Sequence, residues 1–380
     1  MRIIQISPAY KPAYIYGGPT LSVSLLCEAL VEAGIPLQVF TTTANGAQEL
    51  EATNAPVKID GVSVTYFRRT IRGQIHLSFG LLIRLYFSTD RNDIFHIHSW
   101  WNATAILSAL VGKMRDNRVV LSPRGMLTPY SFNNRHSFLK KMFHYLLGKW
   151  ILNSCEIHVT SEKERRDVSS FVKRGRITTI PNLANELILY RHSDPIPMEE
   201  TATFKLLFLS RIEEKKGIEL LFEALKHLSY PWVLTVAGSG NPKYLDDLQS
   251  LAAKLNIEDS ITWVGFVNLE EKRSLMMEHD LFVLFSHNEN FANVITESLS
   301  AGLPVAVSEE VGLSDFILEH DLGWVSELDK FSIVAKLEDA AKNIDKRSRI
   351  KQIAPSLIAK HFSIPIILPQ YFKLYELDEY

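Results

Sequence analysis

Leu281-Phe282-Val283-Leu284-Phe285 is an unbroken apolar run, and Ser286-His287-Asn288-Glu289-Asn290-Phe291-Ala292 follows it. A strand with one face in water alternates polar and apolar residues, whereas a strand covered on both sides has no polar face. The run therefore suits a parallel sheet packed between two layers of helices. Beyond the polar loop the chain reads as a helix with Glu297 about one turn into it, and Pro304-Val305-Ala306-Val307 opens the next apolar run. Strand, loop, helix, strand is a βαβ unit, whose crossover is right-handed.

The same alternation extends in both directions. Strand-like runs lie at 2–7, 37–42, 63–68, 94–98, 119–122 and 156–160, then at 205–210, 233–237, 261–264 and 323–325. In the first helix, Pro19 suits the first turn, Leu21, Leu25, Ala29 and Ala33 predict a buried stripe, and Gly34 marks the end. The pattern pauses at 182–203 beside Pro181, with Pro195 and Pro197 inside the pause. Two domains follow, 1–185 and 190–360, with an aromatic closing helix at about 361–380 (Phe362, Tyr371, Phe372, Tyr375, Tyr380) that needs a surface to bury against and is expected to pack back on the first. The expected fold class is α/β, two Rossmann-like doubly wound domains facing a central cleft, with ligands at the carboxyl ends of the strands.

The chain has 380 residues, which suits two domains at about 150 residues each. Its 41 Lys+Arg against 43 Asp+Glu exclude a general nucleic-acid coat, so no nucleic-acid partner is expected. Cys27 and Cys155 are its only cysteines, too few for a disulfide framework or a cysteine-based zinc site. The N-terminal Met-Arg-Ile-Ile-Gln-Ile-Ser lacks a signal-peptide h-region, and no apolar run nears the ~18 residues of a spanning helix, so a cytoplasmic location is expected.

Chemistry concentrates at the strand ends. Glu289, in a strand-to-helix loop, and Glu297, a turn into the helix, flank a helix N-terminus, where free N–H groups and the helix dipole favour an anion such as a diphosphate. Ser210-Arg211-Ile212-Glu213-Glu214-Lys215-Lys216-Gly217 follows the first strand of the second half and brings cations that neutralise a leaving diphosphate without a metal. In the first half, Asp93-Ile94-Phe95-His96-Ile97-His98 sets two histidines on one face of a strand end; the alternatives are a zinc pair, for which no third ligand is visible nearby, or buried histidines bonded to backbone. Gly238-Ser239-Gly240 lacks the third glycine of a dinucleotide fingerprint, because Lys243 holds that position, which argues against a nicotinamide dehydrogenase.

In this order, these stretches resemble glycosyltransferase family 4, retaining enzymes of GT-B fold. Glu289 and Glu297 are similar to that family's E-x7-E motif, Gly302-Leu303-Pro304-Val305 to the G-x-P-V after it, and Ser210–Gly217 to its G-R-x-x-x-x-K-G, with Ser210 for the first glycine. The resemblance implies Arg211 and Lys216 as diphosphate ligands, with Lys215 a solvated neighbour, Glu289 on the donor sugar and Glu297 on the ribose. It further implies donor contacts from Asn290-Phe291-Ala292, where the family often has Gly-Phe-Gly, and from the early pair Gly17-Gly18. The strand at His96 and His98 resembles the family's D-x-x-H-x-H and implies His98 near the reacting sugar and His96 as structural. Ser122-Pro123-Arg124-Gly125-Met126 resembles a segment of exopolysaccharide and lipopolysaccharide branches; it implies Arg124 facing the cleft, toward donor phosphate or acceptor.

The implied activity moves a sugar, with retention, from a nucleotide diphosphate sugar to a glycan or lipid-linked acceptor, with no metal and no cofactor. A nucleotide-sugar epimerase or a non-catalytic glycan-binding scaffold would use the same fold. One segment stands apart from these motifs. Residues 117–155 hold no Asp or Glu but carry Arg118, Arg124, Arg135, Lys140, Lys141 and Lys149. Phe138, Met142, Phe143, Leu146, Leu147 and Trp150 there form a helical apolar stripe, read either as the core face of a helix or as a surface for anionic membrane or a lipid diphosphate.

Overall fold

The computed structural model describes residues 1–377 apart from 54, 72, 134–136, 174 and 185–202. Arg135, Pro195, Pro197 and Tyr380, used in the sequence reading, lie outside the described residues, as does most of the pause at 182–203. The chain forms two compact units, Met1–Leu183 with Ile364–Tyr380, and Ala184–Ser363.

The first unit holds β1 (Ile3–Ser7), β2 (Leu37–Thr42), β3 (Ala44–Asn45), β4 (Gln48–Glu49), β5 (Val57–Ile59), β6 (Val62–Phe67), β7 (Ile94–His98), β8 (Arg118–Ser122), β9 (Glu156–Val159) and β10 (Ile177–Thr179). Its main sheet has the order β10-β9-β8-β7-β1-β2-β6-β5, parallel except for the β5–β6 pair, and β3 and β4 form a small hairpin. The second unit holds β11 (Phe204–Leu209), β12 (Trp232–Ala237), β13 (Ile261–Gly265), β14 (Leu281–Leu284), β15 (Val305–Ser308) and β16 (Gly323–Ser326). They form one parallel sheet, β13-β12-β11-β14-β15-β16.

Burial follows the apolar runs. Along β1, Ile3 packs into one core cluster while Ile4 and Ile6 pack into another, and along β2 Val39 and Phe40 divide the same way. Both faces of the first sheet are therefore covered, as strands without a polar side require. The second unit buries its strands in a single large cluster.

The first helix, Gly18–Glu32, carries Pro19 in its first turn and ends before Gly34 at φ +82°. Its buried line differs from the expected stripe. Val23, Leu26, Cys27 and Leu30 are in the core, whereas Leu21, Leu25 and Ala33 are only half-buried. The spacing of four picked one edge of a helix that is apolar on much of its surface. The closing helix, Ile364–Tyr375, belongs to the first unit, where Ile367, Tyr371 and Tyr375 are buried beside Ile3, Val23 and Leu26.

Candidate active site

In the second unit the sheet order places β11 beside β14, and the strands run outward from that pair in opposite sequence directions. This is the topological switch point, where the loops leaving the two strands diverge and open sheets bind ligands. The loop from Ser210 to Gly217 leaves β11 and the loop from Ser286 to Ala292 leaves β14, so both charged motifs sit there.

They meet directly. Lys216 Nζ lies 2.5 Å from Glu289 Oε2, and both side chains are largely buried. Gly217 makes the approach feasible. It sits at φ +68°, and a Cβ there would fall 2.1 Å from the Phe285 carbonyl oxygen, so only glycine lets the loop close on the end of β14. The His287 N–H donates to the Lys215 carbonyl at 2.9 Å and ties the loops together. Burial pushes the Glu289 carboxyl up, but Lys216, Lys215 and Arg211 outweigh it and hold the group below the usual carboxylate range. The Glu289 backbone is fixed as well, its N–H donating to Glu310 and its carbonyl accepting from Gly312.

Arg211 pairs with Glu213 at 2.6 Å and keeps part of its side chain in water. Lys215 departs from the expectation of a solvated neighbour: it is half-buried, and that burial draws its ammonium below the ordinary lysine range. Ala292 takes a left-handed conformation, φ +62°, and opens the helix Asn293–Ser300 without a side-chain cap. Phe291 points into the core with its ring 5.8 Å from that of Phe362, which leaves only its backbone for a donor contact. Glu297 lies in the middle of the helix, buried, with Oε2 2.5 Å from Nζ of Lys272 on the helix Leu269–Glu278. Sequence reasoning missed Lys272, since nothing in a charged run Glu270-Glu271-Lys272-Arg273 singles out one member.

In the first unit the switch point lies between β1 and β7. Gly17, φ +66°, precedes the helix that follows β1, and His98 ends β7. Arg124, beyond β8, is buried and takes φ +55° with Gly125 at φ +74°, a left-handed pair that turns its side chain back toward the strands. Its guanidinium donates to Asn182 Oδ1 at 2.6 Å and faces His98 Nδ1 at 3.3 Å.

Behind it lies a buried polar network. His98 Nε2 is 2.7 Å from Gln5 Oε1, and Gln5 Nε2 is 3.1 Å from the Tyr375 hydroxyl. That hydroxyl is 2.6 Å from His96 Nδ1, and His96 Nε2 is 2.7 Å from Ser122 Oγ. Ser122 Oγ is 2.6 Å from His158 Nδ1, and His158 Nε2 is 2.9 Å from the Ile180 carbonyl. Desolvation, reinforced by Arg124, lowers the affinity of all three imidazoles for protons, that of His158 to about 3. Both ring nitrogens of His98 are thus engaged, and the imidazole is not a free acid or base. Gln5, His158 and Tyr375 were not read from the sequence as site residues. The available signal was a lone polar residue in a strand otherwise buried on both faces, as in Ile3-Ile4-Gln5-Ile6.

Residues 16–185 match the family model described as Glycosyltransferase Family 4, and residues 194–356 match Glycosyl transferases group 1. The chain belongs to the family 4, group 1 glycosyltransferases. An uncharacterised glycosyltransferase of Methanocaldococcus jannaschii is 26% identical over 86% of this chain and 85% of its own length. A glycogen synthase of Mycobacterium tuberculosis is 24% identical over 85% of this chain and 81% of its own. Among solved structures, sucrose-phosphate synthase from Thermosynechococcus elongatus aligns over 99% of both chains with a TM-score of 0.78 at 18% identity. Anabaena HepE, in complex with UDP and glucose, aligns over 99% of this glycosyltransferase and 100% of its own chain with a TM-score of 0.76 at 17% identity. Both likenesses show the fold, which is GT-B. Among the described residues no three His, Cys, Asp or Glu side chains are grouped to hold a metal ion, and no helix is long and apolar enough to cross a membrane.

Proposed function

We propose that this glycosyltransferase moves a sugar, with retention and without a metal, from a nucleotide diphosphate sugar to a hydroxyl of a glycan or lipid-linked acceptor. The setting would be exopolysaccharide, capsule or lipopolysaccharide synthesis. One observation carries the reading: the buried Lys216–Glu289 pair at the switch point of the second unit, with Arg211 beside it and Glu297 on the following helix. The bond between the anomeric carbon and the leaving phosphate breaks, and a bond to the acceptor oxygen forms on the same face. The departing phosphate oxygen takes the acceptor proton. Lys216 and Arg211 stabilise the charge that develops on the phosphate, Glu289 holds the sugar, and Glu297 holds the ribose hydroxyls. The UDP and glucose bound to HepE support a nucleotide-sugar donor of this kind.

A thermal-shift screen against nucleotide sugars, run with a chelator present, tests the reading. A donor at a hundred times its Kd raises stability by about 2.7 kcal/mol. Glu297→Gln is expected to raise the donor KM with little change in kcat, because a ribose contact is alike in ground and transition states. Absence of any nucleotide-sugar shift, activity restored only by metal, or conversion of the donor with no acceptor present would overturn it.

We also propose that the enzyme works at the cytoplasmic face of a membrane, through the helical stretch within 117–155. Burial divides the apolar stripe read from the sequence. Phe143 and Leu147 turn inward, while Phe138, Leu146 and Trp150 are 76%, 77% and 56% exposed, with Tyr145 beside them. Its cations divide too. Arg118 is bound to Glu156, Arg124 is buried, and Lys140 donates to the Ser131 carbonyl, which leaves Lys141 and Lys149 exposed. Insertion of apolar side chains should therefore outweigh charge. Leu146→Gln with Trp150→Gln is expected to lower binding to anionic liposomes by on the order of a hundredfold, since burying such side chains contributes about 1.5–3 kcal/mol each. Lys141→Gln with Lys149→Gln should lower it less, and only at low salt. Equal liposome binding by all three proteins would remove the membrane from the proposal.

A further inference from the structure

We propose that Tyr375, on the closing helix, is a positioning residue for His98 and Arg124, acting through a one-way chain of hydrogen bonds. That His98 stands near the reacting sugar and that Arg124 faces donor phosphate or acceptor rests on the proposed sugar transfer, whereas the chain itself is geometry in the first unit.

Its direction follows from its ends. A guanidinium only donates, so His98 Nδ1, 3.3 Å from Arg124, is an acceptor and the proton is on Nε2. That N–H donates to Gln5 Oε1, which fixes the amide and aims its NH₂ at the Tyr375 oxygen. The Tyr375 O–H then donates to His96 Nδ1, and His96 Nε2–H donates to Ser122 Oγ. The Ser122 O–H donates to His158 Nδ1, and His158 Nε2–H ends the chain on the Ile180 carbonyl, which can only accept. Both ring nitrogens of each of the three histidines are used, and all three imidazoles are neutral Nε2–H tautomers.

Tyr375 is the junction. Its hydroxyl joins the side chains of Gln5 and His96, which are register partners on neighbouring strands β1 and β7. Without it, the Gln5 amide is held only through His98 and the long 3.3 Å contact of Arg124, and amide and imidazole can turn over as a pair. Turned over, the amide would offer NH₂ to His98 Nε2 and drive the proton to Nδ1, toward the donor-only Arg124. The hydroxyl of Tyr375 thus works with Arg124, from the opposite side of the ring, to hold the tautomer of His98. The location of the two ends adds to this. Tyr375 lies on the helix reached when the chain returns to the first unit after Ser363, and Asn182, a second partner of Arg124, lies just before the chain leaves it after Leu183. Asn182 meets the guanidinium directly, and Tyr375 reaches it through Gln5 and His98.

Tyr375→Phe keeps the ring and removes only the hydroxyl. Turnover should fall by on the order of tenfold to a hundredfold, as for a displaced catalytic group, with the donor KM within about twofold because the donor carboxylates lie in the other unit. Gln5→Met, which cuts the chain one step nearer His98, should reproduce that split. Tyr371→Phe should not, because its hydroxyl only shares a nitrogen that already donates to Ile180. Side-chain ¹⁵N spectra of the wild type should show His96, His98 and His158 as Nε2–H tautomers, and His98 should become mixed in Tyr375→Phe. Wild-type turnover in Tyr375→Phe, a His98 Nδ1–H tautomer in the wild type, or an equal loss in Tyr371→Phe would overturn the proposal. If the wild type turns over no nucleotide sugar, the functional reading fails, and the ¹⁵N spectra, which need no substrate, still decide the chain.

Discussion

Lys216→Ala should lower turnover at saturating donor by about 10²–10³-fold, the usual cost of removing one fixed electrostatic group from a transition state that develops charge. The ammonium is buried, so it meets the leaving phosphate in a medium where charge is poorly screened. In the resting protein it answers Glu289 at 2.5 Å, which gives the substitution a second effect. Removing one partner of a buried pair strands the other, at a cost of about 3–5 kcal/mol when burial is complete. Here Lys215 and Arg211 still face the carboxylate, and Glu289 keeps some contact with water, so a smaller loss of about 1–3 kcal/mol is expected. The two effects separate in the double variant Lys216→Met with Glu289→Gln. It leaves no stranded charge and should recover most of the melting temperature but none of the turnover. Turnover near wild type in Lys216→Ala, or regained in the double variant, would remove Lys216 from the chemistry.

The sequence shows some parts of this molecule far better than others, for physical reasons. Strands such as Leu281–Leu284 are buried on both faces and therefore read as unbroken apolar runs, so their positions were legible to within a residue or two. The strands not foreseen were β5, Val-Lys-Ile, and β10, Ile-Thr-Thr, which end the first sheet and pair on one side only. Short edge strands carry polar residues and leave no such run. The hairpin of β3 and β4 is shorter still. At the site, Lys216, Glu289 and Glu297 were legible because loop motifs keep their chemistry in one stretch. Lys272, Tyr375 and Asn182 were not, because each reaches its partner across a long separation in sequence and through a buried position where only the fold decides the neighbour. The basic stripe failed in the opposite way. Its helical periodicity marked an apolar line but not which residues face inward, and packing turned Phe143 and Leu147 in while leaving Phe138 and Leu146 out.

Acid should unfold this glycosyltransferase through the same buried network. Desolvation lowers the proton affinity of His96, His98 and His158 well below the usual 6.5, in the last case to about 3, and His76, drawn down to about 4 mainly by burial, acts in the same direction. Between about pH 6.5 and the folded values, the unfolded chain binds protons that the folded chain refuses. The unfolded state therefore holds more protons, and stability rises with pH and is lost as pH falls. Each such imidazole contributes a slope of up to about 1.4 kcal/mol per pH unit. The three in the network act in the same direction, so their losses add between pH 7.5 and pH 5. Glu164, raised by burial, opposes them in the carboxylate range, but Glu289, Asp93 and Glu338, held below that range by their partners, act with the imidazoles and continue the loss as pH falls further. The melting temperature should be flat from about pH 7 to 8, fall below about 6.5, and be accompanied near pH 5 by net uptake of protons on unfolding. A melting temperature at pH 5 equal to that at pH 7.5 would show that these imidazoles already carry protons in the folded chain. The chain of donors from Arg124 to Ile180 would then be broken at pH 5, since a protonated ring has no acceptor to offer.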